Sequence, residues 1–338
     1  MTIDLRSDTV TKPTRAMREV MMNAEVGDDI YREDPEARAL EEEVAAHLGK
    51  EAALFVPSGT MANQIAMQLH LRPGDEVLVG EHAHIVLYES GALGGLAGAQ
   101  ARALGKGGMF DADDVLASIS RNYYEPRTRL VAMENTHNRG GGSVWPLARI
   151  QRVAEAARTA GLALHLDGAR LWNASVASGH SEAAFAAPFD TVSVCFSKGL
   201  GAPVGSAICG SKEAITGALR IRKMLGGGMR QVGILASACR YAMKHQRARL
   251  KEDHDNARAL ATALRTLGLG VSEVETNIVL FTPPPGRTPT EVAERAQKAG
   301  VLLSPFGPTQ LRAVTHLDVD AVRIQRAVDV LAAISEAR

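Results

Sequence analysis

Residues 52–80, "AALFVPSGTMANQIAMQLHLRPGDEVLVG", constrain the fold of this 338-residue chain more than any other stretch. A short apolar β-like run at 52–56 meets the turn "PSGT", and a helical pattern follows from Met61. After the turn "RPGD" a second β-like run occupies 76–80. Strand, crossover helix and strand in that order make a βαβ unit, which places two strands parallel and a helix over one face. The alternation continues, with β-like runs near 128–134, 162–166, 191–196 and 204–209 and helical patterns near 111–120 and 146–160. The expectation is an α/β fold whose large domain is a mostly parallel sheet covered by helices. Upstream, "EDPEARALEEEVAAHLG" predicts a helix with Asp34 as N-cap, Pro35 in its first turn and Gly49 just past its end.

After about residue 211 the character changes. One long helical stretch runs to about 225 and another from about 229 to 267. "TNIVLF" (276–281), the turn "TPPPGRTP", a helix, "VLLSP" and "LRAVTHL" then predict a small C-terminal α/β layer. The expected division is an N-terminal segment and large domain at 1–240 and a small domain at 241–338.

Lysine plus arginine equal aspartate plus glutamate, 38 against 38, so no overall positive field exists to hold nucleic acid or an anionic membrane. Cys195, Cys209 and Cys239 have no C-x-x-C spacing, which favours buried free thiols in a reducing compartment over a disulfide framework or a thiolate metal site. The start lacks an apolar h-region, and no run reaches the about 18 apolar residues of a membrane span. A soluble cytoplasmic protein is expected.

Three stretches carry chemistry. "LHLDGAR" (164–170) is an apolar strand that ends in Asp167, and the carboxyl ends of parallel strands face the crevice where ligands bind. By itself the aspartate is equally readable as a cap or a structural ion pair. "VSVCFSKGLGAPVGSAIC" (192–209) sets Lys198 at a break between two apolar runs. A lysine there loses solvation, and a neutral amine condenses with carbonyls, although an isolated lysine is more often a solvated surface residue. "PSGT" puts Ser58, Gly59 and Thr60 at a helix N-terminus, which suits a phosphate as well as an ordinary cap. Together a phosphate cradle, an acid for a pyridinium nitrogen and a Schiff-base lysine are the attachments that pyridoxal 5'-phosphate requires. A dinucleotide site at "GALGGLAG" (91–98) fails, because its glycines miss G-x-G-x-x-G spacing.

The motifs "DLRSDTVTKPT", "EVGDDIYREDP", "FVPSGTMAN", "ENTHN", "HLDGARLWNA", "SKGLGAPVGS", "GGGMRQ" and "LRAVTHLDV" occur in one order along nearly the whole chain. In this the sequence resembles the threonine aldolases, pyridoxal-phosphate enzymes of the aspartate-aminotransferase-like fold (fold type I). The resemblance implies Lys198 as the Schiff-base lysine, Asp167 at the ring nitrogen and Ser58, Gly59 and Thr60 at the phosphate. It implies His84 stacked on the cofactor ring, Arg170 and Arg312 at the substrate carboxylate with help from Ser7, and His137 near the substrate hydroxyl. Arg230, with Lys223 before it, would reach a phosphate, and Tyr31 would lie near a neighbouring subunit's site. A homodimer or homotetramer with shared sites, acting on a small amino acid, is implied as well. In "EHAHIVLYE" His82 lies two residues before His84 and would share its strand face as an H-x-H pair, but no third ligand is visible and no metal is expected. The chain departs from the family at Arg32, where glycine is usual, and in the glycine-rich loop behind His137. Rival readings are another pyridoxal-phosphate reaction, such as β-elimination or transamination, and a catalytically silent protein on this fold.

Overall fold

The computed structural model describes residues 2–336. Its strands are β1 (Ile3–Asp4), β2 (Ala52–Val56), β3 (Asp75–Gly80), β4 (Gln100–Leu104), β5 (Arg127–Glu134), β6 (Ala163–Gly168), β7 (Thr191–Cys195), β8 (Ser206–Gly210), β9 (Ile278–Phe281), β10 (Val301–Leu302), β11 (Ser304–Phe306) and β12 (Gln310–Val314). Seven of them form one sheet in the order β2-β8-β7-β6-β5-β3-β4. β8 runs antiparallel to both of its neighbours, and the remaining pairs are parallel.

Both faces of this sheet are buried, so the two-residue period divides side chains between two cores rather than between core and water. Leu78, Val131, Met133, Leu164, Leu166, Val192 and Val194 face one core. Val77, Val79, Leu130, Ala132 and Ile208 face the other, under the helix Gly59–His70. On that second side His165, Asp167, Thr191 and Ser193 are buried polar residues. They form a polar stripe beneath a helix.

The helix Pro35–Leu48 has the N-cap, the first-turn proline and the left-handed terminal glycine that its sequence predicts. The strands at 52–56, 76–80 and near 128, 162, 191 and 204 are all present within two residues. Two expectations need correction. The stretch 229–267 is two helices, Gly233–His245 and Leu250–Thr266, because the segment between them turns the chain from one core to the other. "EHAHIVLYE" is not a strand: His82 lies in the left-handed region at φ 62° and His84 opens the short helix His84–Leu87, so the two rings share no strand face.

A third apolar core gathers Leu260, Leu264, Val279, Phe281, Leu311, Ala313 and Leu331 around the antiparallel sheet β11-β12-β9. Ile3 and Leu5 belong to this core, since β1 pairs in parallel with β10. The chain's first residues therefore cross to the C-terminal layer, and residues 6–11 pass beside the end of the large sheet. Cys195, Cys209 and Cys239 are free and buried. Among the described residues no helix is long and apolar enough to cross a membrane.

Candidate active site

A cavity of about 340 Å³ opens at the carboxyl ends of β6 and β7, lined by Ser58, Gly59, Thr60, Asn63, His84, Asp167, Cys195 and Lys198, with Thr9 from the N-terminal segment. The three chemical stretches picked out in the sequence thus meet in space. Register explains the meeting: Asp167 pairs with Ser193 across β6 and β7, and the chain leaves β7 at Cys195, three residues before Lys198.

One end of the cavity is the N-terminus of the helix Gly59–His70, where Ser58 accepts the Met61 N–H at 3.2 Å. N–H groups in such a first turn have no acceptor inside the helix and are free for an anion. Gly59 is required by packing, because a Cβ there would meet Cys195 Sγ at 2.7 Å.

Asp167 is buried at the far end. Its Oδ2 accepts from Asn63 Nδ2 at 2.8 Å and its Oδ1 from the Ala169 N–H at 3.0 Å. Burial works to raise its pKa, but the nearby charges of His84 and Lys198 and the Asn63 hydrogen bond outweigh it and hold the carboxyl below its ordinary value. A fixed carboxylate across a cavity from a primary amine, with a helix N-terminus at its side, fits pyridoxal phosphate: ring nitrogen, carbonyl carbon and phosphate each have a chemically matched partner.

His84 sits on the cavity wall with Nδ1 3.0 Å from Glu89 Oε1. Burial lowers its pKa, yet the Glu89 hydrogen bond and the Asp167 and Glu134 charges win, and the net shift is upward. Glu89 is itself buried and also accepts from Asn63 at 2.8 Å and Gln64 at 2.7 Å. His84, Glu89 and Asp167 have ligand atoms within 4.8 Å of one another, but the amides of Asn63 and Gln64 already engage the two carboxylates. Sequence reasoning missed Glu89 and Asn63: the one signal for Asn63 is polarity on the otherwise apolar helix Gly59–His70, and Glu89, in the turn after the helix His84–Leu87, gives none.

The two arginines differ. Arg170 is buried and gripped by Asp8, Nε to Oδ2 at 2.8 Å and Nη2 to Oδ1 at 2.7 Å. Arg312 donates to the neutral oxygens of Asn138 (3.0 Å) and Arg6 (3.1 Å), and its buried Nε has no partner. Burial and the charge of Arg170 lower its pKa, so a carboxylate arriving there would be welcomed electrostatically. Asp8 was not foreseen. Its neighbour Ser7 accepts from the Thr9 N–H at 3.2 Å.

His137 lies away from the cavity lining. Its ring is buried, Nδ1 accepts the Gly140 N–H at 3.0 Å, and Nε2 lies 3.8 Å from Glu134 Oε2 with no hydrogen-bond partner. Gly108, at φ +88°, closes over it: a Cβ there would sit 2.2 Å from the ring. Glu134 also accepts from the His84 and Asn138 backbones at 2.8 and 2.9 Å, so one carboxylate ties the two histidine segments together.

Tyr31 and Arg230 are exposed and do not line the cavity within one chain; Arg230 pairs with Asp28 at 3.2 Å. Arg32 explains the usual glycine: its φ is 64°, the left-handed region, and contacts to Glu41 (2.8 Å) and Asp29 (3.9 Å) hold it there.

The beta-eliminating lyase family model matches residues 4–283. A probable low-specificity L-threonine aldolase 2 of Arabidopsis thaliana is 43% identical over 96% of this chain and 94% of its own length. The low specificity L-threonine aldolase of Escherichia coli K12 is 44% identical over 94% of each chain. The solved structure of a Leishmania major threonine aldolase superposes with a TM-score of 0.87 at 20% identity, over 98% of this chain and 99% of that one. A serine palmitoyltransferase from Sphingomonas wittichii has the same fold, with a TM-score of 0.76 at 18% identity over 98% and 87% of the two chains. With the lysine, the aspartate and the phosphate turn in one cavity, and with relatives of this identity along its whole length, the chain belongs to the beta-eliminating lyase family and to its threonine aldolases, pyridoxal-phosphate-dependent lyases.

Proposed function

We propose that the protein cleaves L-threonine and L-allo-threonine, and related 2-amino-3-hydroxy acids, to glycine and an aldehyde. The observation that carries this reading is the pairing of a cofactor cavity that a carboxylate-backed histidine lines with a nearby arginine, Arg312, that donates only to neutral oxygens and keeps a free Nε.

Pyridoxal phosphate, when bound, supplies an electron sink for the pair released as Cα–Cβ breaks. Lys198 would hold its carbonyl carbon and yield that place to the substrate amine. Asp167 would keep a proton on the ring nitrogen, and Ser58, Gly59 and Thr60 would take the phosphate. Arg312 binds the substrate carboxylate in this reading, while Arg170, with two donors already on Asp8, lends charge and one further face. Ser7 supports that segment. His84 is favoured as the base for the β-hydroxyl proton: Nδ1 is committed to Glu89, which leaves Nε2 to accept. His137 acts on this account by fixing the loop around Glu134.

The exposed Tyr31, Met22, Val86, Leu87, Leu96 and Met224 support assembly into a homodimer or homotetramer, with Tyr31 and Arg230 reaching a neighbour's site. The same reading divides the chain near residue 240, with residues 3–5 reaching into the smaller part. It places the enzyme in the cytoplasm, in glycine supply.

Incubating the purified protein with each threonine diastereomer and quantifying glycine, acetaldehyde, ammonia and keto acid tests the reaction. Glycine and acetaldehyde in equal amounts are expected, with Lys198→Ala losing multiple turnover and the cofactor's visible absorption. Ammonia with a keto acid would replace this reading by β-elimination.

A further inference from the structure

Beneath the cavity runs a chain of hydrogen bonds that the reaction does not account for. His70 Nε2 lies 2.9 Å from Thr191 Oγ1, and Thr191 Oγ1 lies 2.9 Å from His165 Nδ1. His165 Nε2 lies 3.2 Å from Asn63 Oδ1, which Ser193 Oγ also approaches at 2.8 Å. The Asn63 amide nitrogen then donates to both Glu89 Oε1 and Asp167 Oδ2, each at 2.8 Å. The far end is wet: His70 lines a separate surface cavity of about 870 Å³.

Donor and acceptor arithmetic gives this chain a single direction. The Asn63 nitrogen faces two carboxylates, so its oxygen faces His165 and Ser193, and both of them must donate. If His165 Nε2 carries the proton, Nδ1 must accept, so Thr191 donates to it and in turn accepts from His70. Every member except His70 is buried. Reversing any link would leave a buried polar atom facing its own kind, at the full cost of an unmade hydrogen bond.

We propose that His165 is a positioning residue for the cofactor: it locks the Asn63 amide so that one NH₂ group spans Asp167 and Glu89. Those two carboxylates serve different partners, the ring-nitrogen end of the cavity and His84. Asn63 lies between them, and its orientation decides whether both oxygens meet a donor or one of them meets the amide oxygen. Burial pushes the His165 pKa down to about 4, against the pull of Asp167, so near neutral pH the ring is uncharged and keeps the one donor and one acceptor that the chain needs. The inference rests on the cofactor and not on the choice of substrate.

Side-chain geometry supplies the test. Glutamine sets its amide nitrogen near the place of a histidine Nε2, whereas asparagine reaches only to Nδ1 and phenylalanine offers no donor. Full-length His165→Gln, His165→Asn and His165→Phe would be compared for pyridoxal phosphate affinity, for the pH midpoint of the bound cofactor's visible absorption, and for kcat and KM. The Asn and Phe variants are expected to bind pyridoxal phosphate about tenfold more weakly, to move the absorption midpoint by about one pH unit and to lose about tenfold in kcat with KM within about twofold. His165→Gln restores all three. Thr191→Val, which removes the hydroxyl at nearly constant shape, moves the midpoint in the same direction by less, and it serves if the His165 variants fail to fold. A wild-type midpoint and affinity in folded His165→Phe or in Thr191→Val, or a Gln variant no better than Phe, would overturn the proposal. Affinity and absorption are read without substrate, so a different reaction would leave the result standing.

Discussion

The floor of the cavity and its mouth are built on different terms. On the floor, Asp167 and His165 come from β6, Asn63 from the helix above it and Glu89 from the turn after the helix His84–Leu87, and their hydrogen bonds close on one another. The mouth is assembled from the N-terminal segment, the loop after β5, and β12, which are far apart in sequence. There, buried polar atoms stand without partners: Arg312 Nε, His137 Nε2 and Asn277 Oδ1. A network whose members mostly satisfy one another, with Gln64 Oε1 left open at its edge, suits a resident group held in one pose, whereas open polar atoms suit a ligand that arrives and leaves.

The sharpest way to break this contrast is at the joint between the two, the Asp8–Arg170 pair. Asp8 is fully buried, and although burial opposes it, the charges of Arg170 and Lys198 and the Asn277 hydrogen bond hold it ionised. Asp8→Asn leaves the Arg170 guanidinium buried without a counter-charge, for which about 3–5 kcal/mol of lost stability is expected. The double variant Asp8→Asn with Arg170→Met should recover much of it, because it removes the stranded charge. Urea unfolding of both measures this; equal losses in the two would show that the pair is no structural hinge between floor and mouth.

Within the mouth alone, Arg312→Lys keeps one charge and loses the planar fork that a carboxylate engages. We expect kcat/KM on threonine to fall about 100-fold, mostly through KM, while the cofactor's absorption and affinity stay as they were. Steady-state kinetics beside a cofactor titration check this. A loss of cofactor affinity would merge the two regions into one.

The contrast also explains what the sequence could tell. Lys198, Asp167 and the Ser58–Thr60 turn lie at the ends of short, strongly patterned strands, so one topological rule about parallel sheets brought them together before any coordinates. The polar stripe His165, Thr191 and Ser193 was invisible to the same reasoning, because alternating polar residues normally signal a wet face and here they lie under a helix. Asp8 escaped for another reason: its partner is 162 residues away, and no local pattern encodes that distance. β4 also went unnoticed, because it is an edge strand with mostly exposed side chains and little apolar alternation.

The smallest effect concerns the outer support of the floor. Glu41 accepts the Phe55 N–H at 2.9 Å, two residues before the phosphate turn begins, and it shares a buried cluster with Asp29, Arg32, Arg38 and Arg222. Burial dominates its environment and raises its pKa from 4.5 to about 7, despite the arginines. The sign follows from linkage. The folded state holds this proton more tightly than the unfolded chain, so the contribution to stability is fully present below pH 4.5 and is lost as the pH rises through about 7. Glu41→Gln keeps an oxygen for Phe55 but has nothing to titrate. Across that window the wild type should lose roughly 1–3 kcal/mol relative to the variant, read as diverging urea midpoints between acid and neutral pH. Cofactor absorption should follow the same course in both proteins, because Glu41 contacts the strand leading to the floor and not the cavity. Parallel stability curves would mean that the arginines keep Glu41 ionised throughout, and the cluster would then be a permanent brace rather than one that loosens with rising pH.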